Sequence, residues 1–422
     1  MKRVIMPRNL SGSLRLPPSK SLSHRAIIAA SIANGVSKID NVMYSDDIIA
    51  TLDIMEEFGA KIQRGKDTLI IEGTQNFKLP NRPLDCKESG STLRFLIPFG
   101  LMVDGECEFV GRGKLVTRPI ETYIKILNKQ NIDYEYSGKL PLKLNGKIKA
   151  DEFIVPGNIS SQFITGLLFV LPMLEKDSKI IIQGKLESKG YIDLTIDMLS
   201  LYGVTIDHDN YEEFYIKGNQ TYQSRDYCIE GDYSQLAFWI VAGTIGERIE
   251  IDNIRENSLQ GDKKVIDIVQ SMGGNLRFEG DRLIVEPAHT KGVTIDASQC
   301  PDIIPVLCVL GALSDGETKI INGDRLRIKE SDRIKATIDI IEKLGGFAVE
   351  TSDGMIIKGN SKFHGCELDS WNDHRIAMAG AIGGIRARGK VSISRSGAIN
   401  KSYPSFFQDY EKLGGKIYGE YL

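Results

Sequence analysis

The 422-residue sequence predicts an α/β fold built from one repeated unit. Three observations predict it. Six amphipathic helical patterns each stop at a Gly or Asn, at intervals of roughly 70 residues, the signature of an internal repeat. A second, more apolar helical pattern accompanies each of them. An alternating, hairpin-like stretch follows five of the six stops.

The stops are Gly59, Asn131, Gly203, Gly273, Gly345 and Gly414, residue types that tolerate the left-handed conformation of a helix C-cap. Each preceding pattern has an apolar face: Ile48/Leu52/Met55, Ile120/Ile124/Leu127, Leu194/Met198/Leu201, Val265/Val269/Met272, Ile334/Ile338/Ile341 and Phe406/Tyr410/Leu413. Such stripes read as core packing. Hairpins follow, as at 61–72 and 347–358, and the C-terminus cuts the sixth repeat short. The more apolar helices are expected near 21–34, 91–103, 161–173, 234–245, 302–314 and 373–386, each leading to a turn and a short strand such as 35–39 or 316–320. Six units in this length fit two domains of three, with the more apolar helices inside each.

Composition excludes several classes. Hydrophobic content of 41% and charged content of 26% are those of a globular protein, and a net charge of -3 gives no bulk attraction to nucleic acid or an anionic membrane. Any anionic ligand must therefore be held by locally arranged cations. Cys86, Cys107, Cys228, Cys300, Cys308 and Cys366 form no C-x-x-C pair or zinc-like cluster, so reduced thiols are expected. Residues 1–20 are broken by Pro7, Gly12, Pro17 and Pro18 and lack the apolar core of a signal peptide. The longest apolar run, 163–174, contains Pro172 and is too short to span a bilayer. A cytoplasmic protein with no nucleic-acid or membrane partner is the expectation. No carboxylate cluster has metal-binding spacing, so neither metal nor cofactor is expected.

The polar motifs cluster where the apolar helices begin. They include Ser19-Lys20-Ser21-Leu22-Ser23-His24-Arg25, Glu88-Ser89-Gly90-Ser91-Thr92-Leu93-Arg94, Asn158-Ile159-Ser160-Ser161-Gln162, Asp232-Tyr233-Ser234-Gln235, Pro301-Asp302 and Asn372-Asp373-His374-Arg375. Helix capping explains the hydroxyls and acids. It does not explain Lys20, Arg25, Arg94 and Arg375, because a cation near a helix N-terminus opposes the macrodipole. A bound phosphate or carboxylate reverses that conflict. Two basic segments, 111–119 with Pro119 as a first helical residue and 325–333, sit at the starts of amphipathic helices and repeat the theme.

This ordered set resembles the EPSP synthase family from end to end. Residues 16–25 are similar to its N-terminal signature, 88–94 to its glycine-containing motif, and 327–333 to its second signature. Ser160-Ser161-Gln162, Ser188-Lys189-Gly190-Tyr191, Pro301-Asp302, Asn372-Asp373-His374-Arg375 and Lys401 follow in the family's order. The resemblance implies two inverted α/β barrel-like domains, each of three βαβαββ repeats. Residues 1–18 with 229–422 would form one domain and 19–228 the other, with the active site in the cleft between them. It also implies a monomer acting on two small molecules, shikimate 3-phosphate and phosphoenolpyruvate.

Roles follow from the same resemblance. Lys20, Ser21, Arg25, Ser160, Ser161, Gln162, Ser188, Asp302 and Lys329 would hold shikimate 3-phosphate. Lys20, Gly90, Arg118, Gln162, Arg333, Arg375 and Lys401 would hold phosphoenolpyruvate, with a side chain at Gly90 intruding on the ligand. Asp302 would take the hydroxyl proton, Glu330 would serve the carbon, and Lys20 would contact both substrates. His24, Glu88 and Arg325 depart from the best-known pattern, and Glu88 is expected to point away from the anions or pair with a cation. A sister enzyme acting on UDP-N-acetylglucosamine is the nearest rival. Its reactive loop Cys has no counterpart in 111–117, and Cys107 falls in an expected strand. A catalytically silent anion-binding protein would need the cations but not Lys20, Asp302 and Glu330 together.

Overall fold

A computed structural model describes residues 1–420 and divides the chain into two compact units. One unit is Pro18–Ile229; the other is Met1–Pro17 together with the chain from Glu230 onward. The first carries helices α1 (Lys20–Ile32), α2 (Asp46–Glu57), α3 (Gly90–Gly100), α4 (Glu121–Gln130), α5 (Ser161–Val170) and α6 (Lys189–Leu201). The second carries α7 (Tyr233–Ile245), α8 (Lys264–Ser271), α9 (Ile304–Leu313), α10 (Arg333–Lys343), α11 (His374–Gly384) and α12 (Phe406–Lys412).

Odd-numbered helices are the apolar ones, and they are buried along nearly their whole length. In α1 every residue from Leu22 to Ile32 is buried, and in α7 every residue from Tyr233 to Thr244. A helix that is apolar all round has no solvent face to present, so it must lie inside. Even-numbered helices cover them with one face only: α10 buries Ile334, Ile340 and Ile341 while Lys335 and Lys343 stay exposed. All six stops carry positive φ, from +54° at Asn131 to +111° at Gly59, where glycine and asparagine are the tolerated residues.

Six four-stranded sheets, one per repeat, wrap these helices. In one of them Glu152–Pro156 runs parallel to Ser178–Gln183, which is antiparallel to Glu213–Ile216, itself antiparallel to Asp207–Asp209. The parallel pair is joined through α5 and the antiparallel pair is the hairpin, as period-2 patterning requires. Alternation sends Ser178, Ile180 and Ile182 inward.

The sixth repeat differs from the sequence reading. It is not cut short, because the N-terminus completes it. Lys2–Met6 pairs antiparallel with Arg388–Ser394 on one side and with Lys416–Glu420 on the other, occupying the place a hairpin strand fills elsewhere. Two other sheets also borrow a distant strand: Tyr227–Cys228 lies parallel to Val36–Asp40, and Gly12–Arg15 parallel to Ile249–Asp252. Among the described residues no helix is long and apolar enough to cross a membrane.

Candidate active site

The starts of the buried helices carry the polar motifs, in two groups, one in each unit. In Pro18–Ile229, Ser19, Ser89 and Ser160 cap α1, α3 and α5 by accepting from Leu22, Thr92 and Gln162 amides. Capping therefore explains these hydroxyls, as residue type suggests. The cations need another account. Arg25, 2% exposed, donates Nε to Thr195 Oγ1 at 2.9 Å, Nη1 to Ser21 O and Nη2 to Tyr191 O, both at 2.8 Å, and Nη2 to Thr165 Oγ1 at 3.4 Å. Burial pushes this guanidinium down to about 10, against a small opposing effect of Tyr191, and it stays charged at neutral pH. Two helix carbonyls and two threonine hydroxyls thus take four of its five N–H groups. One Nη1 N–H remains to be offered elsewhere.

Lys20 pairs with Asp47 at 2.9 Å, and both are largely buried. Arg94 donates to Gln162 Oε1 at 2.8 Å and to Pro119 O at 2.9 Å, while Gln162 Nε2 donates to Ser91 Oγ at 2.9 Å. Arg118 lies against the start of α3: a Cβ on Gly90 would sit 2.5 Å from Arg118 Nη1. Ser188, buried before α6, holds left-handed backbone at φ +56°. Ser160 and Ser161 are buried, and Ser21 and Gln162 are partly exposed. Glu88 places its carboxylate against Gly113 of the basic loop. Pro119 is not a first helical residue, as the sequence reading expects. It precedes the Ile120 cap and gives its carbonyl to Arg94, so α4 opens at Glu121.

In the other unit a dense charge network joins the starts of α9, α10 and α11. Arg333, 1% exposed, donates Nη1 to Asp302 at 2.6 Å, Nη2 to Glu330 at 2.7 Å and Nε to Asp373 at 2.8 Å. Lys329 Nζ reaches the same Asp302 oxygen at 3.1 Å, and Arg375 Nη2 lies 3.9 Å from the other. Arg375 also donates to Ser234 O at 3.0 Å and Ser234 Oγ at 2.6 Å; its buried Nε has no acceptor among the described residues. Lys401 Nζ donates to Asn372 O at 2.6 Å. Arg325, next to this group in sequence, is buried in a short 3₁₀ turn.

Electrostatics follow from that geometry. Burial alone would raise the Asp302 carboxyl, but Lys329, Arg333 and Arg375 outweigh it and hold it well below the carboxylate range. Burial lowers the Lys329 ammonium; Asp302 opposes this, and Arg333 and Arg325 add to it. Asp302 does not cap a helix, contrary to the reading of Pro301-Asp302 as a helix opening. It lies in a turn, α9 begins at Ile304 after Ile303, and Pro305 sits in the first turn, where its missing N–H costs nothing. The Asp302 carboxylate consequently faces cations.

Sequence reasoning assigned no role to several residues that build these groups. Asp47 holds Lys20. Thr165 and Thr195 receive Arg25. Asp373 both caps α11, by accepting from the Arg375 amide at 2.8 Å, and clamps Arg333. Its place beside Arg375 in the 372–375 motif was a usable signal; Thr195, 170 residues from Arg25, had none. No group of three or more His, Cys, Asp or Glu among the described residues is disposed to hold a metal. All six cysteines are free thiols. Cys107 is buried in the strand Glu106–Val110, where burial, helped by Glu106, pushes its thiol up to about 11. It is no nucleophile at neutral pH.

This architecture is that of the enolpyruvyl transferases. It superposes on EPSP synthase from Acinetobacter baumannii with a TM-score of 0.83 at 24% identity, covering 99% of this chain and 100% of that one. The enolpyruvyl transferase NikO from Streptomyces tendae matches with a TM-score of 0.82 at 16% identity, over 99% and 98%. Residues 4–410 match the family model described as EPSP synthase (3-phosphoshikimate 1-carboxyvinyltransferase). Proteins of that name from Clostridium novyi and Clostridium perfringens are 52% and 51% identical, covering 98% and 100% of this chain and 97% and 100% of their own. One from Clostridioides difficile is 50% identical over 98% and 97%. The chain belongs to the EPSP synthase family.

Proposed function

We propose that the protein transfers the enolpyruvyl group of phosphoenolpyruvate to the 5-hydroxyl of shikimate 3-phosphate, releasing phosphate in the shikimate route to aromatic amino acids. The observation that carries this is the Asp302–Arg333–Glu330 network with Lys329 and Arg375 around it, in a chain that matches its family from end to end. Two proton-handling carboxylates sit among cations suited to a carboxylate and a departing phosphate, as the reaction demands.

The residues divide the work. The substrate hydroxyl attacks C2 as C3 gains a proton, giving a tetrahedral ketal; C2–O cleavage then expels phosphate and C3 gives a proton back. Asp302 takes the hydroxyl proton, Glu330 serves C3, and Lys20 contacts both substrates. Asp302 is held as an anion by Lys329 and Arg333, so substrate anions must draw those cations off before it becomes basic enough to act. Ser21, Arg25, Ser160, Ser161, Gln162, Ser188 and Lys329 hold shikimate 3-phosphate; Gly90, Arg118, Gln162, Arg333, Arg375 and Lys401 hold phosphoenolpyruvate. The chain passes from one unit to the other at 17/18 and 229/230, and each unit holds three of the six repeats. Six free thiols accord with a cytoplasmic enzyme, and we take it to work as a monomer.

A phosphate-release assay tests the reading, with phosphoenolpyruvate plus shikimate 3-phosphate, plus UDP-N-acetylglucosamine, or alone. Release with shikimate 3-phosphate is expected. Release only with the UDP-sugar, or with neither acceptor, overturns it.

A further inference from the structure

Each unit has a cavity at the far ends of its three buried helices, the C-terminal ends. In Pro18–Ile229 a cavity of about 460 Å³ lies beside Ile32, Met102 and Met173, at the ends of α1, α3 and the α5 segment. In the other unit a cavity of about 620 Å³ lies beside Ile245, Leu313 and Arg386, at the ends of α7, α9 and α11. The repeat makes the two equivalent, yet their linings differ. The first is closed by neutral polar groups, among them Gln75, Asn76, Asn219, Gln220 and Thr221. The second is lined by His289, Lys362, Arg386 and Arg388 and by no carboxylate.

Neutralising three helix C-termini would be the ordinary reason for such cations. The first cavity argues against it, since the same three ends are closed there without a single charge. Ion pairing is not the reason either. Lys362, Arg386 and Arg388 are exposed and make no ion pair with a carboxylate among the described residues, although His289 pairs with Asp315. In a chain of net charge -3, three cations without acidic partners around one concavity form a local anion trap.

We propose that the cavity at the ends of α7, α9 and α11 is a second ligand site, for a small polyanion such as a condensed phosphate or a polycarboxylate. Its guanidinium groups offer bidentate donors to either chemistry. It is separate from the proposed catalytic residues: Arg375 opens α11 and Arg386 follows its other end, about 16 Å away along the helix.

Calorimetric titration with pyrophosphate and, separately, with citrate tests this at ~0.15 M salt, where loose ionic attraction is screened. The wild-type protein is compared with the triple variant Lys362→Ser, Arg386→Ser, Arg388→Ser. Because pyrophosphate can also compete for the phosphoenolpyruvate site, steady-state kcat and KM are measured on both proteins. A binding class weakened at least ~10-fold in the variant, with kcat and both KM values unchanged, supports the site. Preference for pyrophosphate or for citrate then names the ligand chemistry. Identical titrations of the two proteins, or no binding of either probe at this salt, overturn it. The three residues are exposed, so the variant should fold; a circular dichroism melt matching wild type confirms that the comparison is fair.

Discussion

Asp302, proposed above to take the hydroxyl proton, is firmly anchored. Three cations make it a stable anion, and each is also a group that an incoming phosphate or carboxylate would recruit. Asp302→Asn keeps the shape but cannot take a proton. We expect kcat to fall roughly 10²–10⁴-fold with a modest change in KM, measured by phosphate release. The role proposed for Gly90 depends on its having no side chain. In Gly90→Ala the new methyl would fall 2.5 Å from Arg118 Nη1, and the guanidinium must shift. The expected result is a KM for phosphoenolpyruvate raised about tenfold with that for shikimate 3-phosphate nearly unchanged. His24 supplies a pH signature. Burial, with Lys20 and Arg25 nearby, lowers its imidazole well below the usual range, and it sits neutral, Nδ1 2.8 Å from Thr51 Oγ1. Below about pH 6.5 the unfolded chain takes up a proton at His24 that the folded one refuses, so this contribution to stability is lost as pH falls. His24→Asn should therefore lose less Tm than wild type between pH 7 and pH 5; parallel curves would refute the assignment.

At the scale of elements, helix ends differ in how openly the sequence declares them. The six stops were legible because a left-handed residue restricts the choice to Gly or Asn, and all six occur with positive φ. Gly345 makes this testable. At φ +94° a Cβ would lie 2.6 Å from the His364 ring, so Gly345→Ala should cost about 1–2 kcal/mol, seen as a lower Tm with unchanged KM values. Helix starts were harder to read. A first turn can be satisfied by a hydroxyl, an acid or a proline, and both Asp302 and Pro119 fell just outside the helices they were expected to open. Side-chain bonds that connect elements left no local trace. Arg25 meets Thr195 and Arg94 meets Gln162 only because the repeats stack, whereas the Arg333–Glu330 pair was visible as a charge run within one turn.

Over the whole molecule, the period of about 70 residues revealed the architecture, and what it concealed was where the circle closes. Nothing in residues 2–6 marks them as partners of the last strand, because a five-residue strand carries no sign of its neighbour. The two units should differ in autonomy. A fragment of residues 18–229 contains every strand of its three sheets and should give a cooperative melt by circular dichroism. A fragment of residues 230–422 lacks Lys2–Met6 and Gly12–Arg15 and should not, unless a peptide of residues 1–17 is added.

That closure also orders events at the ribosome. Lys2–Met6 has its two neighbours at Arg388–Ser394 and Lys416–Glu420, so it must wait until those distant strands have been translated. Meanwhile the middle segment can mature on its own. Once residue 229 has emerged, the nascent chain therefore carries a finished centre beside strands that still lack their neighbours, a natural foothold for a chaperone.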